Sequence, residues 1–274
     1  MATRFLELPT GPRTRLIDTG GDGVPVVLVH GLANSIEIWS KVLPLLGERR
    51  RVIAFDLPGF GQADRPADAA YDSAFFAAQL AALFDTLELG RAHLVGSSLG
   101  ASVAIRFAAA RPECVDRLVL AAPGGFGRRT SLLMRAPALP LIGSWLARPT
   151  PANNRLTLRL AIHDPRLITP ELVEITDRYA SLPGSNRSFV RTLQTGVNLL
   201  GSTHLDEMAA LARRVEAPAL VLWGRQDRVF PPRNAARAAA LLPDARSLLI
   251  DACGHYPHWE QPDIFVAAVE EFLA

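Results

Sequence analysis

Apolar and polar residues alternate through Phe5, Leu6, Glu7 and Leu8, turn at Gly11-Pro12, and resume at Arg15-Leu16-Ile17 before Gly20-Gly21-Asp22-Gly23. This period-two pattern predicts an antiparallel hairpin. Val26-Val27-Leu28-Val29 is aliphatic throughout, as expected of a strand buried on both faces of a parallel sheet. Strand-like runs at Arg51 to Phe55, Ala92 to Val95 and Arg117 to Ala121 then alternate with helical patterns at Tyr71 to Leu89 and Ala101 to Ala110, the latter stopped by Pro112. Such a β-α-β-α order implies an α/β sheet with right-handed crossovers.

The alternation breaks between Pro123 and about Arg214. No aliphatic strand appears there, and short helical pieces are interrupted by Pro137, Pro140, Pro149, Pro151, Pro165, Pro170 and Pro183. The pattern resumes with a strand at Ala219 to Trp223, a helix at Arg233 to Leu242, a strand at Ser247 to Ile250 and a closing helix at Ile264 to Leu273. The expected organisation is one α/β core, residues 1–125 and 215–274, split by a helical insertion at 126–214.

Composition narrows the function classes. The 274 residues are 49% hydrophobic and 20% charged, the balance of a soluble globular chain. Lys and Arg number 29 against 27 Asp and Glu, and the arginines read as spread along the chain, so no nucleic-acid footprint is expected. Cys114 and Cys253 are far apart and lack metal-ligand spacing. Met1 to Thr10 lacks a secretory apolar core, and no apolar run approaches the ~18 residues of a membrane span. A cytoplasmic protein without stable membrane insertion is expected, with a homodimer left open.

Gly96-Ser97-Ser98-Leu99-Gly100 fits G-x-S-x-G between a strand and a helix, the setting of a nucleophile elbow. A serine hydroxyl needs a base to take its proton and a carboxylate to orient that base. His255, in a loop after the strand ending at Ile250, is the candidate base, with His258 as its rival. His30 and His93 sit in or at the end of strands, and His163 and His204 in the insertion. Asp227 follows the strand Leu220 to Trp223 and is preferred to Asp251 as the acid. The order Ser98, Asp227, His255 matches the chain order of α/β-hydrolase triads. An oxyanion hole requires backbone N–H donors; the Leu99 amide would supply one and Leu32, or else Ala33, the other.

These residues carry a resemblance to the α/β-hydrolase fold superfamily over essentially the whole chain. Its further signals are His30-Gly31, Asp56-Leu57-Pro58-Gly59-Phe60-Gly61, Trp223-Gly224-Arg225-Gln226-Asp227, and Gly254-His255 with Glu260-Gln261-Pro262. The resemblance implies a mostly parallel eight-stranded sheet flanked by helices, with the insertion after strand six forming a cap over the active site. Ser98 separates the chain from relatives that use an aspartate nucleophile.

Pro123-Gly124-Gly125-Phe126-Gly127 and the stretch from His255 to Glu260 are similar to meta-cleavage-product hydrolases, which cut carbon–carbon bonds. Those enzymes typically carry asparagine where this chain has Ser97 and tryptophan where it has Tyr256, so hydrolysis of carboxylic esters with small to medium hydrophobic acyl groups is the expected activity. A carbon–carbon hydrolase and a catalytically weak binding protein are the alternatives. Leu132, Leu133, Met134, Leu139, Leu141, Ile142, Trp145 and Leu146 could line an acyl pocket, with Met134, Leu139, Trp145 and Tyr256 taken as its contacts. No cofactor or metal is implied, and the expected partner is a small ester.

Overall fold

A computed structural model describes residues 2–139 and 142–274. The period-two segment forms β1 (Arg4–Glu7) and β2 (Arg13–Asp18), paired antiparallel, and β2 pairs antiparallel with β4 (Val52–Phe55). The remaining pairings are parallel and bring in β3 (Val26–Val29), β5 (Ala92–Ser97), β6 (Val115–Ala121), β9 (Ala219–Gly224) and β10 (Ala245–Ile250). The eight strands run in the order β1-β2-β4-β3-β5-β6-β9-β10.

Successive side chains of these strands enter two cores on opposite faces. Val27, Val29, Leu94, Leu120, Val221 and Trp223 pack on one face beneath α2 (Ser73–Thr86) and α3 (Leu99–Ala110). Val26, Leu28, Val95, Val119, Leu220 and Leu222 pack on the other, with Trp39 and Phe265. That two-sided burial explains why the central strands read as unbroken aliphatic runs. Short helix α1 (Leu43–Gly47) lies beside β4 on the second face.

Helix α2 starts where Asp72 accepts a hydrogen bond from the Phe75 amide at 2.7 Å, so the helix is shorter at both ends than the Tyr71 to Leu89 pattern predicts. The insertion follows strand six as expected. It contains α4 (Leu132–Arg135), α5 (Gly143–Leu146), α6 (Pro151–Ala161), α7 (Pro170–Ala180), α8 (Ser185–Gly196), the hairpin β7 (Val197–Asn198) and β8 (Gly201–Ser202), and α9 (Leu205–Ala212). Two of its prolines begin helices instead of interrupting them. Pro151 and Pro170 occupy first-turn positions, capped by the Thr150 and Thr169 side chains. The last insertion helix, α9, packs on α3 of the core. After β9, α10 (Asn234–Leu241), β10, α11 (Pro257–Glu260) and α12 (Pro262–Leu273) complete the chain. Among the described residues no helix is long and apolar enough to cross a membrane.

The cap is fastened to the core by a buried polar cluster. Arg15 pairs with Asp56 and, through both terminal nitrogens, with Glu37, each at 2.8 Å. The Tyr179 hydroxyl on α7 donates to Glu37 at 2.7 Å and accepts from Arg15 and Gln62. Asp56 also accepts from the Ile36 and Gln62 amides at 2.9 Å, which ties together the loops after β3 and β4.

Candidate active site

Ser98 stands on the turn between β5 and α3 with φ 54° and ψ −114°, a conformation that L residues rarely adopt. The surrounding backbone over-determines it. The Ser98 amide donates to the Ala121 carbonyl at 2.8 Å. A Cβ at Gly96 would lie 2.6 Å from Ala101 Cα, and one at Gly100 would fall on the Val29 carbonyl. Both flanking glycines therefore let α3 approach the sheet edge closely.

Asp227 and His255 come from the loops after β9 and β10, at the same end of the sheet. The register pairs Trp223 with Leu249 and Gly224 with Ile250, so the two loops leave side by side. His255 Nδ1 lies 2.8 Å from Asp227 Oδ2. Asp227 Oδ1 accepts from the Val229 and Phe230 amides at 2.7 and 3.0 Å, which fixes the carboxylate plane. Both side chains are buried. With Nδ1 facing the carboxylate, Nε2 is left for the cavity that Ser98 and His255 line together. No hydrogen bond joins the Ser98 hydroxyl to His255 among the described residues; in apo sites such contacts are often long and tighten only in the substrate complex.

The histidine loop is held through its backbone. The His255 amide donates to the Ala161 carbonyl of the cap at 2.7 Å. Buried Glu260 accepts from Gly254 at 2.9 Å through Oε1, which also receives Tyr256 at 3.4 Å, while Oε2 accepts from the cap amide of His163 at 2.6 Å. Burial raises the Glu260 pKa above the usual carboxylate value, and the amide donors hold that rise back. Sequence reasoning quoted Glu260 without assigning it a task; its five-residue spacing from His255 was the available signal.

The other predicted residues are placed as follows. Leu32, Ala33 and Leu99 line the cavity beside Ser98, and the Leu32 and Leu99 amides have no hydrogen-bond partner among the described residues. The loop carrying Leu32 is shaped by His30. Its Nε2 accepts from the Leu57 amide at 2.9 Å, so Nδ1 carries the proton and faces the Gly31 carbonyl at 2.8 Å. Asp251 is exposed and paired with Arg225, far from the role of a buried orienter. His258 is sealed away from the cavity, its ring 4.3 Å from that of Trp39.

The cavity around Ser98 has a volume of about 420 Å³, and a second lobe of about 130 Å³ adjoins it across Leu32, Ala33, Met134, Thr157, Phe189 and Tyr256. Met134 and Tyr256 line both lobes. Leu139 and Trp145 line neither, and that expectation is corrected. Breaks at Pro137 and Gly143 divide the apolar run into separate short pieces, so it presents no continuous face, and Trp145 is 62% exposed. Leu141 lies outside the described residues.

The α/β hydrolase fold family matches the chain over residues 24–262. A 2-hydroxy-6-oxo-2,4-heptadienoate hydrolase of Pseudomonas putida is 34% identical, over 97% of this chain and 95% of its own length. A 2-hydroxymuconate semialdehyde hydrolase of a Pseudomonas species is 31% identical, over 97% of this chain and 92% of its own. Among solved structures, a meta-cleavage product hydrolase from Pseudomonas fluorescens superposes with a TM-score of 0.83 at 29% identity, covering 98% of this chain and 97% of that one. These relatives overturn the expectation of a carboxylesterase. Ser97 and Tyr256 depart from the pattern expected of the carbon–carbon hydrolases, yet relatives named as such match along nearly the full chain.

Proposed function

The chain belongs to the α/β-hydrolase fold family, and from that premise we propose that it hydrolyses a carbon–carbon bond in a 2-hydroxy-6-oxo-dienoate, a meta-cleavage product. The observation that carries the reading is the end-to-end similarity to a 2-hydroxy-6-oxo-2,4-heptadienoate hydrolase. The two-lobed cavity supports it. A linear substrate cut near its middle needs room on both sides of the nucleophile, and the larger lobe contains Ser98 while the smaller adjoins it.

In the proposed mechanism Ser98 attacks the C6 carbonyl as His255 Nε2 takes the hydroxyl proton, and Asp227 stabilises the imidazolium. The amides of Leu32 and Leu99 receive the oxyanion. Carbon is a poor leaving group unless its electron pair is delocalised. Once the 2-hydroxyl proton has moved to C5 to give the 2-keto-3-ene, the C5–C6 pair flows through the unsaturated chain onto the C2 oxygen as an enolate, and His255 returns the proton taken from Ser98 to that departing fragment. Water activated by His255 then releases the second acid from Ser98.

The test follows the absorbance of the coloured dienol. The protein should bleach it, and Ser98→Ala should lower turnover by at least about 1,000-fold with an unchanged melting temperature. Rapid turnover of p-nitrophenyl esters alongside an untouched dienol would refute the proposal.

A further inference from the structure

The basic residues are less evenly spread than the sequence reading holds. Between Asp116 and Asp164 the chain carries seven arginines and no carboxylate, which leaves the remainder net acidic. Six of them, Arg128, Arg129, Arg135, Arg148, Arg155 and Arg159, lie in the cap, and all but the half-buried Arg135 are exposed. Among the described residues none of the six is ion-paired; the arginine pairs within the cap belong to Arg166 and Arg178.

Large apolar side chains protrude from the same region. Leu132 is 75% exposed, Trp145 stands in solvent, and Leu199 and Leu200 form the tip of the β7–β8 hairpin. Arg135 joins α4 to the hairpin, donating to the Thr130 carbonyl on its own side and to the Leu199 carbonyl across the gap at 3.3 Å. On α4 the adjacent Leu133 and Met134 line the cavity while Leu132 points outward, so the cavity roof and the outer patch are two sides of one short helix.

Exposed leucines and a tryptophan in a cap stretch that carries unpaired arginines and no carboxylate match the boundary between lipid headgroups and acyl chains. A second copy of this chain is a poor occupant, because a two-fold contact on this patch would set six arginines against six. An acidic protein would match the charge but offers no apolar depth for leucines at a turn tip. We propose that this face of the cap docks on an anionic lipid bilayer, with the arginines on headgroup phosphates and Leu132, Trp145, Leu199 and Leu200 in the acyl boundary.

Trp39, Trp223 and Trp259 are buried, so Trp145 is the exposed fluorophore and reports docking directly. The full-length protein is mixed with vesicles of 3:1 phosphatidylcholine and phosphatidylglycerol at low salt. It should float with them and its emission should shift to the blue, and Trp145→Phe should remove that shift. Replacing Arg128, Arg129 and Arg148 together by Gln should weaken partitioning by about 100-fold. Leu199→Ser with Leu200→Ser should weaken it by at least about tenfold while hydrolytic turnover and melting temperature stay unchanged. No flotation, equal flotation with pure phosphatidylcholine, or indifference to the double serine variant would overturn the proposal. So would light scattering that shows a dimer dispersed by the double serine variant, or selective binding to an acidic polypeptide in place of the vesicles.

Discussion

Replacing His258 by phenylalanine should make the protein more resistant to acid. The His258 ring is fully buried among Trp39, Tyr256 and Phe265, and neither ring nitrogen has a hydrogen-bond partner among the described residues. Burial, with a smaller contribution from His255, pushes its pKa from 6.5 down to about 3. In the unfolded chain the ring takes up a proton below pH 6.5, whereas in the folded chain it stays neutral until about pH 3. Its contribution to stability is therefore complete above 6.5 and is lost as the pH falls toward 3. At 1.36 kcal/mol per pH unit for one proton, the loss reaches about 2.7 kcal/mol by pH 4.5. For a chain of this size that corresponds to roughly 5–10 °C in melting temperature.

Phenylalanine keeps the aromatic contact and takes up no proton. The melting-temperature difference between His258→Phe and the parent should be small at pH 7.5 and should widen by that amount at pH 4.5, as followed by circular dichroism. Dienol turnover at pH 7.5 should stay within a few-fold, because His258 does not reach the cavity. Parallel pH profiles for the two proteins would refute the argument that the ring is sealed in neutral form. A collapse of turnover would return His258 to contention as the base.

Three further substitutions probe the scaffold around the site. Glu260→Ala leaves the Gly254, Tyr256 and His163 amides without their buried acceptor and should cost about 3 kcal/mol or more, read by urea denaturation, with a fall in kcat as the histidine loop loosens. Tyr179→Phe removes the hydroxyl bound to Glu37 and Arg15 and should cost about 1–2 kcal/mol, with faster hydrogen exchange in α7 than in the core sheet. Gly61→Ala would drive a methyl group into the Asp56 carboxylate at a backbone φ of 52°, and should lower the melting temperature by roughly 6–12 °C for a cost of about 3 kcal/mol.

Much of the architecture was legible because the relevant signals are local. Val26 to Val29 is apolar on both faces since both faces are covered, and Ser98, Asp227 and His255 each follow a recognisable strand. The polar fastenings were not legible. Glu260 works on backbone amides from the cap and its own loop, and amides carry no residue signature. Tyr179 meets Glu37 and Arg15 across more than 140 positions of chain. Proline also carries two meanings: Pro151 and Pro170 start helices once a threonine precedes them, which a count of helix breakers misses. The choice between ester and carbon–carbon hydrolysis is not legible at the triad, because serine, histidine and aspartate suit both reactions, and the single positions beside it, Ser97 and Tyr256, point away from the group that the whole chain resembles.

The His255 amide ends on a cap carbonyl, and Glu260 grips a cap amide. The cap is therefore no exchangeable lid. A chimera that takes its cap from a relative has to reproduce the backbone path from Ala161 to His163, or the imidazole shifts with the new joint. Recombination that remodels the substrate chamber can act through Leu133 and Met134 of α4, which line it, while the end of α6 stays coupled to the reacting atoms. In this chain the boundary between what can be exchanged and what is held to the reacting atoms runs through the cap, along a seam of hydrogen bonds to the main chain of Ala161 and His163, and not at the points where the insertion enters and leaves the core.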